Sequence, residues 1–197
     1  MIAVVDYGAG NLRSVANALD ASGAPYCLAA SSDALLAASK IILPGVGHFG
    51  QMMRAIDEQN LRAVLIERIE AGVPFLGICL GMQALFEGSD EAPEVTGLGI
   101  FPGRSARFPQ TVRTPHMGWN QVSRKPASTL MRVFDDDPWF YFAHSFYLPQ
   151  SGVTAAVCDY SLPYSAVVEH ENIFGVQFHP EKSAEAGQLL LRGFLER

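Results

Sequence analysis

The sequence has 197 residues, 49% of them hydrophobic and 17% charged, with 18 Gly and 12 Pro. That length suits one globular domain spanning residues 1–197, and the apolar share excludes a disordered or low-complexity chain. Asp and Glu total 20 against 14 Lys and Arg, a formal net charge of −6 that repels phosphate backbones and argues against a nucleic-acid partner.

Three cysteines, Cys27, Cys79 and Cys158, are widely spaced with no CxxC pair. A disulfide framework and a zinc ribbon both fit poorly, so a reducing cytoplasm is expected and no metal site. The start, Met1-Ile2-Ala3-Val4-Val5-Asp6, has no basic run before its short apolar stretch, unlike a signal peptide. The longest apolar stretch, 73–86, is interrupted by Gly77, Gly81 and Gln83. It falls short of the roughly 20 residues needed to span a membrane. A soluble protein with no membrane partner is expected.

In chain order, Ile2–Val5 reads as a buried strand, followed by the loop Asp6-Tyr7-Gly8-Ala9-Gly10-Asn11. Residues 11–22 place Leu12, Val15, Ala16 and Leu19 at helical spacing. Residues 26–28 and 41–43 read as the second and third strands, the third stopping at Pro44-Gly45. Residues 51–71 carry two helical segments, with Leu61, Val64, Leu65 and Ile69 on one face. Residues 73–78 form a fourth strand, and 80–86 turn helical. Strands alternating with helices argue for a mostly parallel central sheet flanked by helices, an α/β fold. The second half differs. Residues 97–125 and 139–176 are rich in Phe, Tyr, Val and turn residues, which predicts additional antiparallel strands, with the aromatic run 139–142 as buried strand. A helix, Ala184–Leu195, closes the chain, burying Leu189, Leu190 and Phe194.

Gly77-Ile78-Cys79-Leu80-Gly81 follows an apolar strand and opens a helix. This is the pattern of a nucleophile elbow, a tight strand-to-helix turn that exposes one side chain. The flanking glycines fit a turn too close-packed for Cβ atoms, and a helix N-terminus beneath the sulfur would favour its thiolate. Cys27 and Cys158 sit in apolar strand patterns and read as structural. A base is available in Val176-Gln177-Phe178-His179-Pro180-Glu181. Pro180 keeps His179 out of helical geometry. In an extended stretch His179 and Glu181 would project to one side, the carboxylate orienting the imidazole.

Together these segments resemble the class I, or triad, glutamine amidotransferases over essentially the whole chain. Asp6-Tyr7-Gly8-Ala9-Gly10-Asn11, Pro44-Gly45-Val46-Gly47, His116-Met117-Gly118-Trp119-Asn120 and His179-Pro180-Glu181-Lys182-Ser183 are similar to the branch that serves imidazole glycerol phosphate synthase. The resemblance implies hydrolysis of L-glutamine to glutamate and ammonia through a glutamyl thioester, with no cofactor. Cys79 would be the nucleophile, His179 the base and Glu181 its partner. Leu80 would supply one oxyanion donor, and the Val46 and Gly47 segment a second, with the glycines at 45 and 47 leaving that peptide free to rotate. Gln83, Glu91 and the main chain of His144, Ser145 and Phe146 would hold the substrate. The implied partner is a (β/α)8-barrel cyclase subunit. It would consume the ammonia to make imidazole glycerol phosphate and AICAR in histidine biosynthesis. Asn11, Trp119 and Lys182 would face it, Lys182 pointing away from Glu181 if the stretch is extended.

Three other readings stay open on sequence. The glutaminase of pyridoxal phosphate synthase would carry Pro-Gly-Gly-Glu-Ser after the third strand, where this chain has Pro44-Gly45-Val46-Gly47. A γ-glutamyl peptidase would act without a partner. A redox sensor would need Cys79 but neither His179 nor Glu181.

Overall fold

The computed structural model describes residues 1–9 and 11–197, so Gly10 of the Asp6–Asn11 loop lies outside the described residues. In chain order the elements are β1 (Ile2–Val5), α1 (Leu12–Ala21), β2 (Tyr26–Ala29), α2 (Ser32–Leu36), β3 (Lys40–Gly45), α3 (Phe49–Glu58) and α4 (Arg62–Glu70). Then come β4 (Phe75–Cys79), α5 (Leu80–Gln83), β5 (Phe86–Ser89), β6 (Phe101–Arg107), β7 (His116–Gln121) and β8 (Ser123–Arg124). The chain ends with β9 (Trp139–His144), β10 (Phe146–Tyr147), β11 (Thr154–Asp159), β12 (Pro163–His170), β13 (Ile173–Val176) and α6 (Ala184–Leu195).

The main sheet has eight strands in the order β2-β1-β3-β4-β13-β12-β11-β8. The first five are parallel, and β12, β11 and β8 extend the sheet antiparallel. A strand covered on both faces must be apolar throughout, and β1, β4 and β13 are buried at every position. Alternate residues feed two cores. Ile2, Val4, Ile42, Leu76 and Ile78 pack against α1, α6 and the aromatic side of β9. Ala3, Val5, Ile41, Leu43 and Phe75 pack against α2, α3 and α4. Among the described residues no helix is long and apolar enough to cross a membrane.

The α/β class, the mostly parallel sheet and the antiparallel strands of the second half match the sequence reading. Four details differ. The helix after Cys79 ends at Gln83 rather than continuing to residue 86, and Phe86 instead opens β5. Residues 97–107 contribute β6, which pairs parallel with β5. β13 closes the parallel block against β4 while pairing antiparallel with β12. In β9 only Phe140, Phe142 and His144 are buried, whereas Trp139 is 53% exposed. The last is period-two alternation in a ribbon covered on one side only. β7 and β9 form this two-stranded ribbon, whose outer side carries Met117, Trp119 and Trp139.

Candidate active site

Cys79 ends β4 with φ 55° and ψ −107°, a strained position for a residue with a Cβ. Main-chain packing holds it there. A Cβ on Gly81 would lie 1.9 Å from the Leu43 carbonyl oxygen, and one on Gly77 2.5 Å from that of Gly81. The glycine requirement read from sequence is therefore one of close approach. Gly45 shares it, since a Cβ there would sit 2.6 Å from the Gly81 nitrogen. Rotational freedom in the Pro44–Gly47 segment belongs to Gly47, which has φ 94° and open space beside it.

The helix behind Cys79 is only four residues long, so its dipole is a small part of the sulfur's environment. The polar neighbours matter more. His179 is 2% exposed, and its Nδ1–H donates to Glu181 Oε1 at 2.8 Å, leaving Nε2 for the Cys79 sulfur. Burial alone would lower the His179 pKa. The charge and hydrogen bond of Cys79, followed by those of Glu181, outweigh burial and raise it to about 10. His179 therefore holds its proton beside the Cys79 sulfur, a cation placed where it favours the ionised form of that thiol.

The carboxylate and imidazole meet by a different route from the extended stretch expected. Residues Pro180–Lys182 form a 3-10 turn started by Pro180, and this turn swings Glu181 back beneath the ring. It is anchored by Ser183, whose hydroxyl donates to the His179 carbonyl at 2.6 Å and accepts from the Tyr141 N–H at 3.0 Å. The expected orientation of Lys182 loses its premise for the same reason. Lys182 is exposed, lies on the rim of the cleft and sits 6.0 Å from the Tyr141 ring centroid.

Above the sulfur lies a cleft of about 330 Å³. Its lining brings together Cys79, His179, Leu80, Val46, Gly47, Gln83, Glu91, His144, Ser145 and Phe146. Every catalytic, oxyanion and substrate candidate is therefore on this wall or, like Glu181, directly behind it. Several have internal duties as well. Glu91 Oε2 accepts the Phe49 N–H at 2.7 Å, capping α3. The Ser145 carbonyl accepts from the Phe108 N–H, and the Phe146 carbonyl from His144 and Gln83. Gln83 donates to the Phe146 carbonyl and to Gln177 Oε1, both at 3.0 Å; its own Oε1 is buried and, among the described residues, accepts no hydrogen bond.

Behind the cleft runs a buried polar chain absent from the sequence reading. His144 Nδ1–H donates to the Phe146 carbonyl at 2.8 Å, so its Nε2 accepts from Tyr164 Oη at 3.1 Å. Tyr164 Oη in turn accepts from His116 Nδ1–H at 3.0 Å. Burial keeps both imidazoles neutral, lowering His116 to about 4 and His144 to about 3. His116 points inward, stacked between Phe142 and Tyr160, while Met117 and Trp119 point out. Asn11 stands at the start of α1, away from the cleft lining.

Two further groups near the sulfur escaped the sequence reading. Gln177 is fully buried, with Nε2 3.6 Å from Cys79 Sγ. Tyr7 carries a buried hydroxyl beside the Val46 main chain, and burial pushes its pKa up to about 12. The other cysteines match expectation: Cys158 is buried, which pushes its thiol up to about 11, and Cys27 is partly buried in β2.

Comparison with known proteins agrees with this geometry. The model of the family described as "Glutamine amidotransferase class-I" matches residues 3–197. An imidazole glycerol phosphate synthase subunit HisH from Methanothermobacter thermautotrophicus is 47% identical, covering 100% of this chain and 98% of its own. The HisH subunit of Desulfitobacterium hafniense strain Y51 is 45% identical, covering 98% and 93%. Among solved structures, a glutamine amidotransferase and PurLQS from Thermotoga maritima each superpose with a TM-score of 0.79. Each is 20% identical and covers 99% of this chain and 97% of the other. Likeness at that identity speaks for the fold, and the closer relatives and the family model speak for descent. The chain belongs to the class I glutamine amidotransferases and, within them, to the HisH family of imidazole glycerol phosphate synthase subunits.

Proposed function

We propose that residues 1–197 work as one domain, the glutaminase half of imidazole glycerol phosphate synthase. It hydrolyses glutamine and passes the ammonia to a barrel-shaped cyclase subunit, which makes imidazole glycerol phosphate and AICAR. The buried Cys79–His179–Glu181 row on the floor of a substrate-sized cleft carries this reading. The unpaired thiols suit a cytoplasmic location.

The Cys79 thiolate attacks the carboxamide carbon of glutamine, forming the C–S bond and pushing an electron pair onto oxygen. The Leu80 N–H, next after the nucleophile, and the Val46–Gly47 main chain are the donors for that oxyanion. The His179 imidazolium gives its proton to the departing nitrogen, and ammonia leaves. Neutral His179 then takes a proton from water, and the hydroxide attacks the thioester. The C–S bond breaks, its electron pair returns to sulfur, and glutamate is released. Glu181 holds the ring throughout.

Release into water at neutral pH would protonate ammonia and end its use as a nucleophile, which is the chemical reason for a docked partner. The test is Cys79→Ala in the assembled complex. Glutamine-dependent synthesis should fall by roughly 10⁶, as on deleting a triad nucleophile, while synthesis from added ammonium salt continues. A complex that ammonia cannot rescue would contradict this division of labour.

A further inference from the structure

We propose that Gln177 is a further catalytic residue, its side-chain N–H stabilising the Cys79 sulfur as a thiolate when it attacks and again when it leaves. Gln177 follows β13 by one residue and precedes His179 by two. It is fully buried, and Nε2 lies 3.6 Å from Cys79 Sγ. The inference rests on Cys79 being the nucleophile proposed above.

Which end of the Gln177 amide faces the sulfur follows from its neighbours. The Phe146 oxygen is a carbonyl and can only accept, so the group of Gln83 beside it, at 3.0 Å, is the NH₂. That same NH₂ lies 3.0 Å from one end of the Gln177 amide. Two NH₂ groups cannot face each other at that distance, so this end of Gln177 is its oxygen. Its NH₂ is therefore turned to Cys79. The Phe146 carbonyl is fixed independently by His144 Nδ1, at 2.8 Å. The orientation thus passes along four residues from a main-chain group to the sulfur, and turning one amide over would break two bonds.

A thiol sulfur is a weak acceptor, whereas a thiolate takes a charge-assisted bond. The contact therefore favours the ionised nucleophile over the thiol. It also tracks the reaction. As the C–S bond forms, charge leaves sulfur and the N–H···S bond slackens. When water has attacked the thioester and the C–S bond breaks, the pair returns to sulfur and the same N–H receives it. His179 is then occupied with the proton taken from water, so Gln177 is the donor whose duty stays with sulfur through both half-reactions.

The test uses the complex of this chain with its cyclase subunit and two variants. Gln177→Leu removes the donor. Gln177→Glu keeps the size and still accepts the Gln83 N–H, but turns an oxygen toward the sulfur. Alkylation of Cys79 by iodoacetamide is followed against pH by peptide mass spectrometry, which separates it from Cys27. The pH of half-maximal rate should rise by about one unit in Gln177→Leu, a tenfold loss of thiolate, and further in Gln177→Glu. Glutamine kcat should fall roughly tenfold, with KM within about twofold. If the Leu variant does not assemble, as judged by loss of co-elution with the cyclase subunit on size-exclusion chromatography, the Glu variant decides. An alkylation profile that stays at the wild-type pH overturns the proposal, because packing alone would change rates without moving it. Alkylation needs no glutamine, so this outcome is distinct from a Cys79→Ala complex that still consumes glutamine.

Discussion

On one wall of the cleft, Cys79, Leu80 and Val46 stand at or just beyond the ends of the neighbouring parallel strands β3 and β4, where glycines bring main chain against main chain. On the other wall, His179, His144 and Phe146 are held by side chains from separate stretches of the second half, chiefly Glu181, Ser183, Tyr164 and His116. The first wall is fixed by sterics and has little to adjust. The second is fixed by hydrogen bonds, each removable by a single atom. Apart from one close main-chain approach on the second side, Gly187 against Pro180, substitutions should therefore act in different ways on the two sides, through folding on the first and through graded loss of function on the second.

The largest effects should come from filling the close approaches. Gly81→Ala puts a Cβ 1.9 Å from the Leu43 carbonyl oxygen, and Gly187→Ala puts one 1.9 Å from the Pro180 oxygen. Neither obstacle is a flexible side-chain end, so each should cost roughly 3 kcal/mol or more. In the first case the elbow itself must give way. In the second, α6 is pushed off the turn that carries Glu181, so kcat should fall although Cys79 keeps its setting. Urea unfolding beside glutamine kinetics separates them. Wild-type stability for Gly187→Ala would show that the second wall is looser than the contact implies.

The same contrast explains what the sequence made legible. The elbow is local: a buried strand, two glycines and a cysteine lie within five residues, and the sterics that need them can be read in order. His179 and Glu181 were legible as partners because they are two residues apart, although a proline-started 3-10 turn achieves the pairing that an extended strand was expected to make. Gln83 and Glu91 were placed in the cleft by resemblance. Gln177, Tyr164 and the inward turn of His116 were not legible. Each depends on a partner dozens of residues away, such as Gln177 with Cys79 at a separation of 98, and no spacing in the chain encodes that meeting. The parallel pairing of β13 with β4 was missed for the same reason, since a strand buried on both faces has no pattern that names its neighbour.

The next effect is one of protonation. His179 should hold its proton through the neutral range and lose it near pH 10, well above its ordinary 6.5. Its contribution to stability is complete below pH 6.5 and disappears as pH rises through about 10. Cys79→Ala removes the charge and hydrogen bond that oppose burial. The imidazole should then titrate much lower, which histidine NMR of the two proteins would resolve. An unchanged midpoint in the alanine variant would assign the raised value to Glu181 alone.

A smaller effect is expected from Tyr164→Phe. The His116 N–H and His144 Nε2 both lose their buried partner, at a cost of about 1–3 kcal/mol. The Phe146 carbonyl keeps its bonds to His144 and Gln83, so the cleft stays formed but less firmly held. Glutamine KM should rise a few-fold while kcat stays within about twofold. A large loss of kcat at unchanged KM would instead tie this chain to the chemical step.

The smallest effect on the isolated chain should come from Lys182→Ala, although it stands immediately after the triad carboxylate. Lys182 is exposed and, among the described residues, pairs with no carboxylate; its nearest feature is the Tyr141 ring. Exposed substitutions of this kind change stability by no more than about 0.5 kcal/mol. Its position suggests a different duty. It lies on the cleft rim, on the side where Met117 and Trp119 leave apolar surface uncovered. A cation beside such a surface suits an acidic group on a docked partner, with the aromatic residues supplying the contact area. Because the 3-10 turn joins Lys182 to Glu181, a pull on one is felt by the other. Lys182→Ala should therefore lower, by a few-fold, the response of glutaminase rate to the cyclase's own substrate, with thermal stability unchanged. Lys182→Arg should restore much of that response. A normal response in the alanine variant would leave the rim lysine as solvated charge.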